Sequence, residues 1–235
     1  MSAHAIHTLM SLVAANRTFG ENLIRFVDLV GARREELIQA LYEHMLLVLI
    51  PVGLAIVIAV PLGILATRYR AIEVPALGLA NIGQTIPSLA LLALMIPLGL
   101  GIGRRPAYIA LLIYAILPIL RNTFTGITSV DSSLKRAARG MGMTDIQMLT
   151  KVELPLAFPV IMAGIRTSTV IIIGTAVLAA YIGGGGLGQF IVTGLGLVRD
   201  DLILLGAIPS ALLAIVADLI LGRLEDWVTP RGLKV

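Results

Sequence analysis

Few residues in this chain are equipped for chemistry, and those that are lie in or beside long apolar runs. Gly183, Gly185 and Gly188 have the spacing G-x-G-x-x-G, which in a strand–turn–helix setting cradles a pyrophosphate. Here the triplet follows an apolar segment with no βαβ pattern around it, so the dinucleotide reading fails on context. What remains is a tight extracytoplasmic turn where helices pack closely or a partner approaches, or else a plain glycine loop. Gln84, Thr85 and Ser88 flank Pro87 inside another apolar run. They either line a pathway and offer hydrogen bonds to a passing solute, or bond to neighbouring helices. Tyr181 offers a ring face to a quaternary ammonium, or serves as an ordinary interfacial tyrosine. Arg166 and Asp218 also sit in apolar segments, where a charge at mid-helix costs about 2.5–3.5 kcal/mol; they either snorkel or pair with each other.

No group qualifies as a catalytic acid, base or nucleophile. The chain lacks Gly-x-Ser-x-Gly and His-Glu-x-x-His patterns, which leaves an intramembrane enzyme without its machinery. Cysteine is absent, excluding disulfides, thiol chemistry and cysteine metal sites. His4, His7 and His44 do not cluster, so no metal ion is expected. No cofactor is expected either.

The elements that hold these residues are set by the solvent. The chain has 235 residues, 57% hydrophobic and 14% charged, with a mean hydropathy of +0.96. Soluble domains carry about 25% charged residues. The fold class is all-α, a polytopic membrane protein, and 5% aromatic content is too little for β-barrel girdles. Five apolar segments span about 45–66, 75–98, 107–120, 156–180 and 202–221. Crossing the hydrocarbon takes roughly 20 residues, so the third is short unless it continues through Asn122 and Thr123. Pro51, Pro61, Pro87, Pro97, Pro118 and Pro159 punctuate the spans; they suggest a bundle bent around a pathway, or ordinary membrane-helix composition.

Before the spans, Phe19, Leu23, Phe26, Val27 and Val30 share a helical face away from Glu21, Arg25 and Asp28. That pattern predicts a helix lying in the membrane interface, with a loosely ordered tail as the alternative. The chain therefore divides into a tail and interfacial helix over 1–43, a transmembrane domain over 44–222 with a loop at 121–155, and a C-terminal tail over 223–235. Residues 1–16 show no signal-peptide pattern. Arg68 and Arg70, then Arg121, Lys135, Arg136, Arg139 and Lys151, then Arg223, Arg231 and Lys234 fall on one side of five spans. The positive-inside rule makes that side cytoplasmic and puts the N-terminus outside; Arg104, Arg105 and Arg199 oppose it. The net charge of +4 belongs to these loops, not to a nucleic-acid surface. A secondary transporter would need a mid-membrane coupling carboxylate and commonly inverted repeats; only Asp218 qualifies, and no repeat is evident.

The loop at 134–155 carries the most information. Ser132 or Ser133 can cap a short helix over 134–139, Gly140 and Gly142 break it, Thr144–Gln147 forms a capping-box pattern, and Pro155 suits the first turn of the next span. Glu153, beside Lys151, is placed to fix the loop against the membrane surface. A helix, a glycine turn and a second helix joined rigidly to a span make a lever.

This loop resembles the "EAA" loop of permease subunits of ABC importers, read as Glu-Ala-Ala, three residues, Gly, nine residues, Ile, any residue, Leu-Pro. Ala137, Ala138, Gly142, Leu154 and Pro155 match, Val152 takes the isoleucine place, and Arg136 departs from the motif by replacing its glutamate. The stretches 83–90, 152–157, 164–167 and 182–188 are similar to permeases of osmoprotectant importers, which carry glycine betaine, carnitine, choline or related compounds; methionine-type permeases share the same five-helix core. The resemblance implies an ABC type I importer permease core of about five transmembrane helices in the inner membrane of a bacterium or archaeon. It implies a second permease subunit, identical or a paralogue, two cytoplasmic ABC ATPase subunits seated on a coupling loop containing Arg136, Ala137, Ala138, Gly140, Gly142, Val152, Leu154 and Pro155, and an extracytoplasmic substrate-binding protein. It implies that the chain hydrolyses nothing itself. An amino-acid permease is the alternative.

Overall fold

The computed structural model describes residues 19–228, with side chains described from 25 to 227. His4, His7, Arg231 and Lys234 lie outside the described residues, as do the side chains of Phe19, Glu21 and Leu23. All regular structure among the described residues is helical. The order is α1 (Phe19–Ala32), α2 (Arg34–Arg68), α3 (Arg70–Thr85), α4 (Ser88–Leu94), α5 (Arg104–Thr128), α6 (Ser132–Gly140), α7 (Asp145–Met148), α8 (Leu154–Ala176), α9 (Gly188–Leu197) and α10 (Asp200–Val228). A π turn (Ile96–Leu100) follows α4, a second (Leu149–Glu153) joins α7 to α8, and a 3-10 turn (Val177–Ile182) follows α8. Four of these rods are long and apolar enough to cross a membrane, and a fifth span arises if the bent pair α3–α4 is counted as one.

Central in the bundle is α5, which packs on α2 and α8. Between apolar helices in lipid the driving force is close packing rather than exclusion of water, and small residues permit it. A Cβ added to Gly63 of α2 would lie 2.7 Å from Thr123 Cβ, and one added to Gly164 of α8 would lie 2.5 Å from Asn122 Cβ. These contacts explain why the third span exceeds its 14-residue apolar core and runs Arg104–Thr128. Thr123 is fully buried and Asn122 donates to Pro118 O at 2.9 Å, so the polar residues are absorbed by helix packing and do not end the span.

The second apolar segment is not one rod. Its halves meet at 101°. Ile86 stands in an extended conformation (φ −73°, ψ 124°), as the residue before a proline prefers, and Pro87 is the last residue before α4. The freed Ile86 carbonyl accepts a hydrogen bond from the Tyr114 hydroxyl, which is how a break at membrane depth is tolerated.

At the N-terminal end, α1 packs chiefly on α10. Phe26, Leu29 and Val30 lie against Ala40, Leu187, Phe190, Leu202 and Leu205, while Val27 is exposed. The face that docks thus turns from Val27 toward Leu29. Helix α2 begins at Arg34, well before the apolar run, so position 43/44 falls inside one continuous helix.

Candidate functional site

The segment that the sequence marks as a lever is built at its first end by Asp131. This residue caps α6, accepting from Ser133 N–H at 2.7 Å, so the helix opens one residue earlier than a Ser132 cap would place it and two earlier than a Ser133 cap would. Asp is the stronger acceptor here because it brings negative charge to the positive end of the helix dipole. That hydrogen bond, aided by the Arg136 charge, holds the Asp131 carboxyl below the usual carboxylate range. Gly140 is the last residue of α6. The chain reverses at Gly142, whose φ is +78°. Gly142 N–H donates to Arg139 O at 2.9 Å and Met143 N–H to Ala138 O at 3.1 Å, the paired bonds of a Schellman motif.

Thr144 and Gln147 then form the full capping box, Thr144 N–H donating to Gln147 Oε1 at 2.9 Å and Gln147 N–H to Thr144 Oγ1 at 3.3 Å. From α7 the chain continues through the π turn into α8, with Pro155 in its first turn, so that residues 145–182 form one uninterrupted helical rod. Ala138 is buried, whereas Arg136, Ala137, Gly140, Gly142 and Pro155 are exposed and Val152 and Leu154 half-buried. Arg136 donates to Ser132 Oγ at 2.9 Å within its own helix. Sequence reading missed the apolar tip: Leu134, Met141 and Ile146 project exposed around the glycine turn. Their signal is large apolar residues in an otherwise polar loop.

Glu153 turns inward, not out toward the surface of the protein. It is completely buried, accepts from the Arg68 guanidinium and lies 3.7 Å from Lys135 Nζ. Lys151, its neighbour in sequence, is exposed. Burial of a carboxylate demands partners, and the ends of α2 and α6 supply them.

A second polar cluster lies about 37 Å along α2 from the first, at 1.5 Å per residue. Glu43 pairs with Arg104 and accepts from Gly186 N–H at 3.2 Å, so one carboxylate joins α2, α5 and the glycine turn. Gly185 and Gly188 are buried and Gly183 exposed. A Cβ at Gly188 would stand 2.0 Å from Val177 O, so this is a packed turn rather than a loose loop. Beneath it, buried His44 donates from Nε2 to Ile173 O at 3.1 Å. A polar cleft of about 350 Å³ opens beside this cluster, lined by Glu36, Gln39, Glu43, Arg104 and Gln189 among others.

Gln84, Thr85 and Ser88 flank the break between α3 and α4; Gln84 and Thr85 are exposed and Ser88 half-buried. Thr85 Oγ1 donates to Ile82 O at 2.7 Å. Tyr181 is 51% exposed on the 3-10 turn that packs against α4. The apolar-segment charges Arg166 and Asp218 form a bidentate pair, Nε–Oδ1 2.6 Å and Nη2–Oδ2 2.7 Å, with Glu225 3.5 Å from Nη1.

Residues 59–231 match the family described as the inner membrane component of binding-protein-dependent transport systems, and the chain belongs to that family. Among its relatives, the choline transport system permease protein OpuBB of Bacillus subtilis is 48% identical over 213 residues, 91% of this chain and 96% of the relative. The glycine betaine/carnitine/choline transport system permease protein OpuCB of the same organism is 50% identical over 85% of this chain and 91% of its own length. The carnitine transport permease protein OpuCB of Listeria monocytogenes is 52% identical over 82% and 88%. The fold is also that of an inward-facing MetNI methionine ABC transporter chain, with TM-score 0.75 at 23% identity over 85% of this chain and 99% of that one.

Proposed function

We propose that the chain is the translocation subunit of an ATP-driven importer for small quaternary-ammonium osmoprotectants such as glycine betaine, carnitine or choline. The observation that carries this is the near full-length identity of about half with permeases named for those solutes. The loop at 121–155 would seat on a cytoplasmic ATPase, which alone hydrolyses ATP. Leu134, Met141 and Ile146 give it an apolar tip, rimmed by Arg136 and Arg139, and Ala138, Gly140, Gly142, Val152, Leu154 and Pro155 shape it. Because α7 runs without interruption into α8, displacing the tip moves a span.

In this reading the Arg68–Glu153 end is cytoplasmic and the Glu43–Arg104 end faces out, where a substrate-binding protein delivers the solute. Two of the three arginines that oppose the positive-inside rule are neutralised, Arg104 by Glu43 and Arg199 by Asp201, which weakens their opposition to that orientation. Gly183, Gly185 and Gly188 form the extracytoplasmic turn. Gln84, Thr85, Ser88 and Tyr181 line the pathway against a second permease subunit. Polar groups exposed beside the α3–α4 break are costly in lipid, which favours a wet or subunit-covered face. Residues 44–222 are the permease domain, preceded by the interfacial helix and followed by a cytoplasmic tail.

The test is reconstitution in proteoliposomes with the ATPase and binding protein. Glycine betaine, carnitine or choline should stimulate ATP hydrolysis and accumulate inside. Failure of the ATPase to co-purify, or stimulation by methionine or histidine alone, refutes the assignment.

A further inference from the structure

Four elements meet at one buried carboxylate. Glu153 immediately precedes α8 and exposes no surface. Arg68, the last residue of α2, donates to it from both terminal nitrogens. Lys135 of α6 lies 3.7 Å from Glu153 Oε1 and donates to Ile127 O, in the last turn of α5, at 3.0 Å. Only the carboxylate is fully buried, with Lys135 half-buried and Arg68 exposed, so the buried charge draws both cations in to it.

The position of these groups relative to the glycine turn gives the cluster its significance. Lys135 lies before Gly142 and Glu153 after it. With the chain alone, α6 could pivot about the turn without moving α8. The Lys135–Glu153 contact closes a triangle across that turn, and Arg68 extends it to the end of α2. We propose that Glu153 is a positioning residue: it locks α6 to α8 and α2, so that displacement of the loop tip is transmitted to two spans instead of being absorbed at Gly142. This rests on the reading of α6 as the ATPase-docking helix.

The informative variant is Lys135→Met, which removes the tie across the turn and leaves the Glu153–Arg68 pair intact. In the reconstituted complex it should retain ATPase co-purification and basal hydrolysis within about twofold, while stimulation by solute-loaded binding protein falls at least about fivefold. Lys135→Arg should restore most of that loss. Glu153→Gln should lose stimulation similarly, and the Glu153→Gln/Lys135→Met double variant should fall no further than the worse single, since both act through one joint. Full stimulation in Lys135→Met, losses that add in the double variant, or a Lys135→Met chain that no longer binds the ATPase would each overturn the proposal. Co-purification and stimulation of the unmodified chain, scored alongside, separate a failed importer assignment from a failed joint.

Discussion

Gly140 and Gly142 look alike in the sequence, and the structure makes opposite demands on them. Gly142 is in the left-handed region at φ +78°, and a Cβ there would meet nothing within 4 Å. The cost of Gly142→Ala is therefore purely one of backbone conformation, about 1–2 kcal/mol for an L-residue in that region. A Cβ at Gly140 also meets nothing within 4 Å, but Gly140 closes α6, where alanine stabilises by up to about 0.5–1 kcal/mol. The reporter is the Met143 amide, which donates to Ala138 O at 3.1 Å across the turn. If exchange proceeds through local opening, Gly142→Ala should speed hydrogen exchange at Met143 about 5–30-fold, at a decade per 1.4 kcal/mol. Gly140→Ala should leave that rate unchanged or slow it. Substrate-stimulated hydrolysis should follow the same order, reduced in Gly142→Ala and retained in Gly140→Ala. Equal exchange rates in the two variants would refute the assignment of the reversal to Gly142.

Two further outcomes follow from charges. Arg166→Leu strips Asp218 of its bidentate partner, and a carboxylate on an apolar segment without its cation is destabilising. Thermal unfolding in detergent should show a larger loss for that single variant than for Arg166→Leu/Asp218→Leu, and Asp218→Leu should be milder because Arg166 keeps Glu225. In the loop, the Asp131 carboxyl is held below its ordinary value by Ser133 N–H. Its cap contribution is then complete above the usual carboxylate pKa near 3.9 and fades as pH falls through the depressed native value. Protection of the Ser133 amide should track that fall. Asp131→Asn should keep the cap and abolish its pH dependence.

What could be read from the sequence was what the local chain decides. The capping box at Thr144–Gln147, the reversal after α6, Pro155 at the start of α8 and the membrane class itself each follow from neighbours within a few positions or from average hydropathy. Asp131 is hidden in the sequence because the two serines after it are equally good caps, and only the helix start distinguishes them. The break at Pro87 was visible as a proline, but its 101° bend depends on Tyr114 of α5 receiving the freed carbonyl. The extension of α5 past Leu120 depends on Gly63 and Gly164, on two other helices, making room for Thr123 and Asn122.

The two charged sites inside the bundle show why some long-range contacts are legible and others are not. Arg166 and Asp218 are isolated charges in apolar segments, and lipid leaves each of them few alternatives. Their pairing can be anticipated because the solvent eliminates the competitors. Glu153 sits in a loop where Lys135, Arg136, Arg139 and Lys151 all offer positive charge, and water makes every one of those pairings cheap. Proximity in sequence favours Lys151, yet the fold selects Arg68, 85 residues away, together with Lys135. The choice is made by burial of the carboxylate: forced out of water, it takes the cations whose side chains can reach inward to it, and those are the ones on helices that already converge on α8.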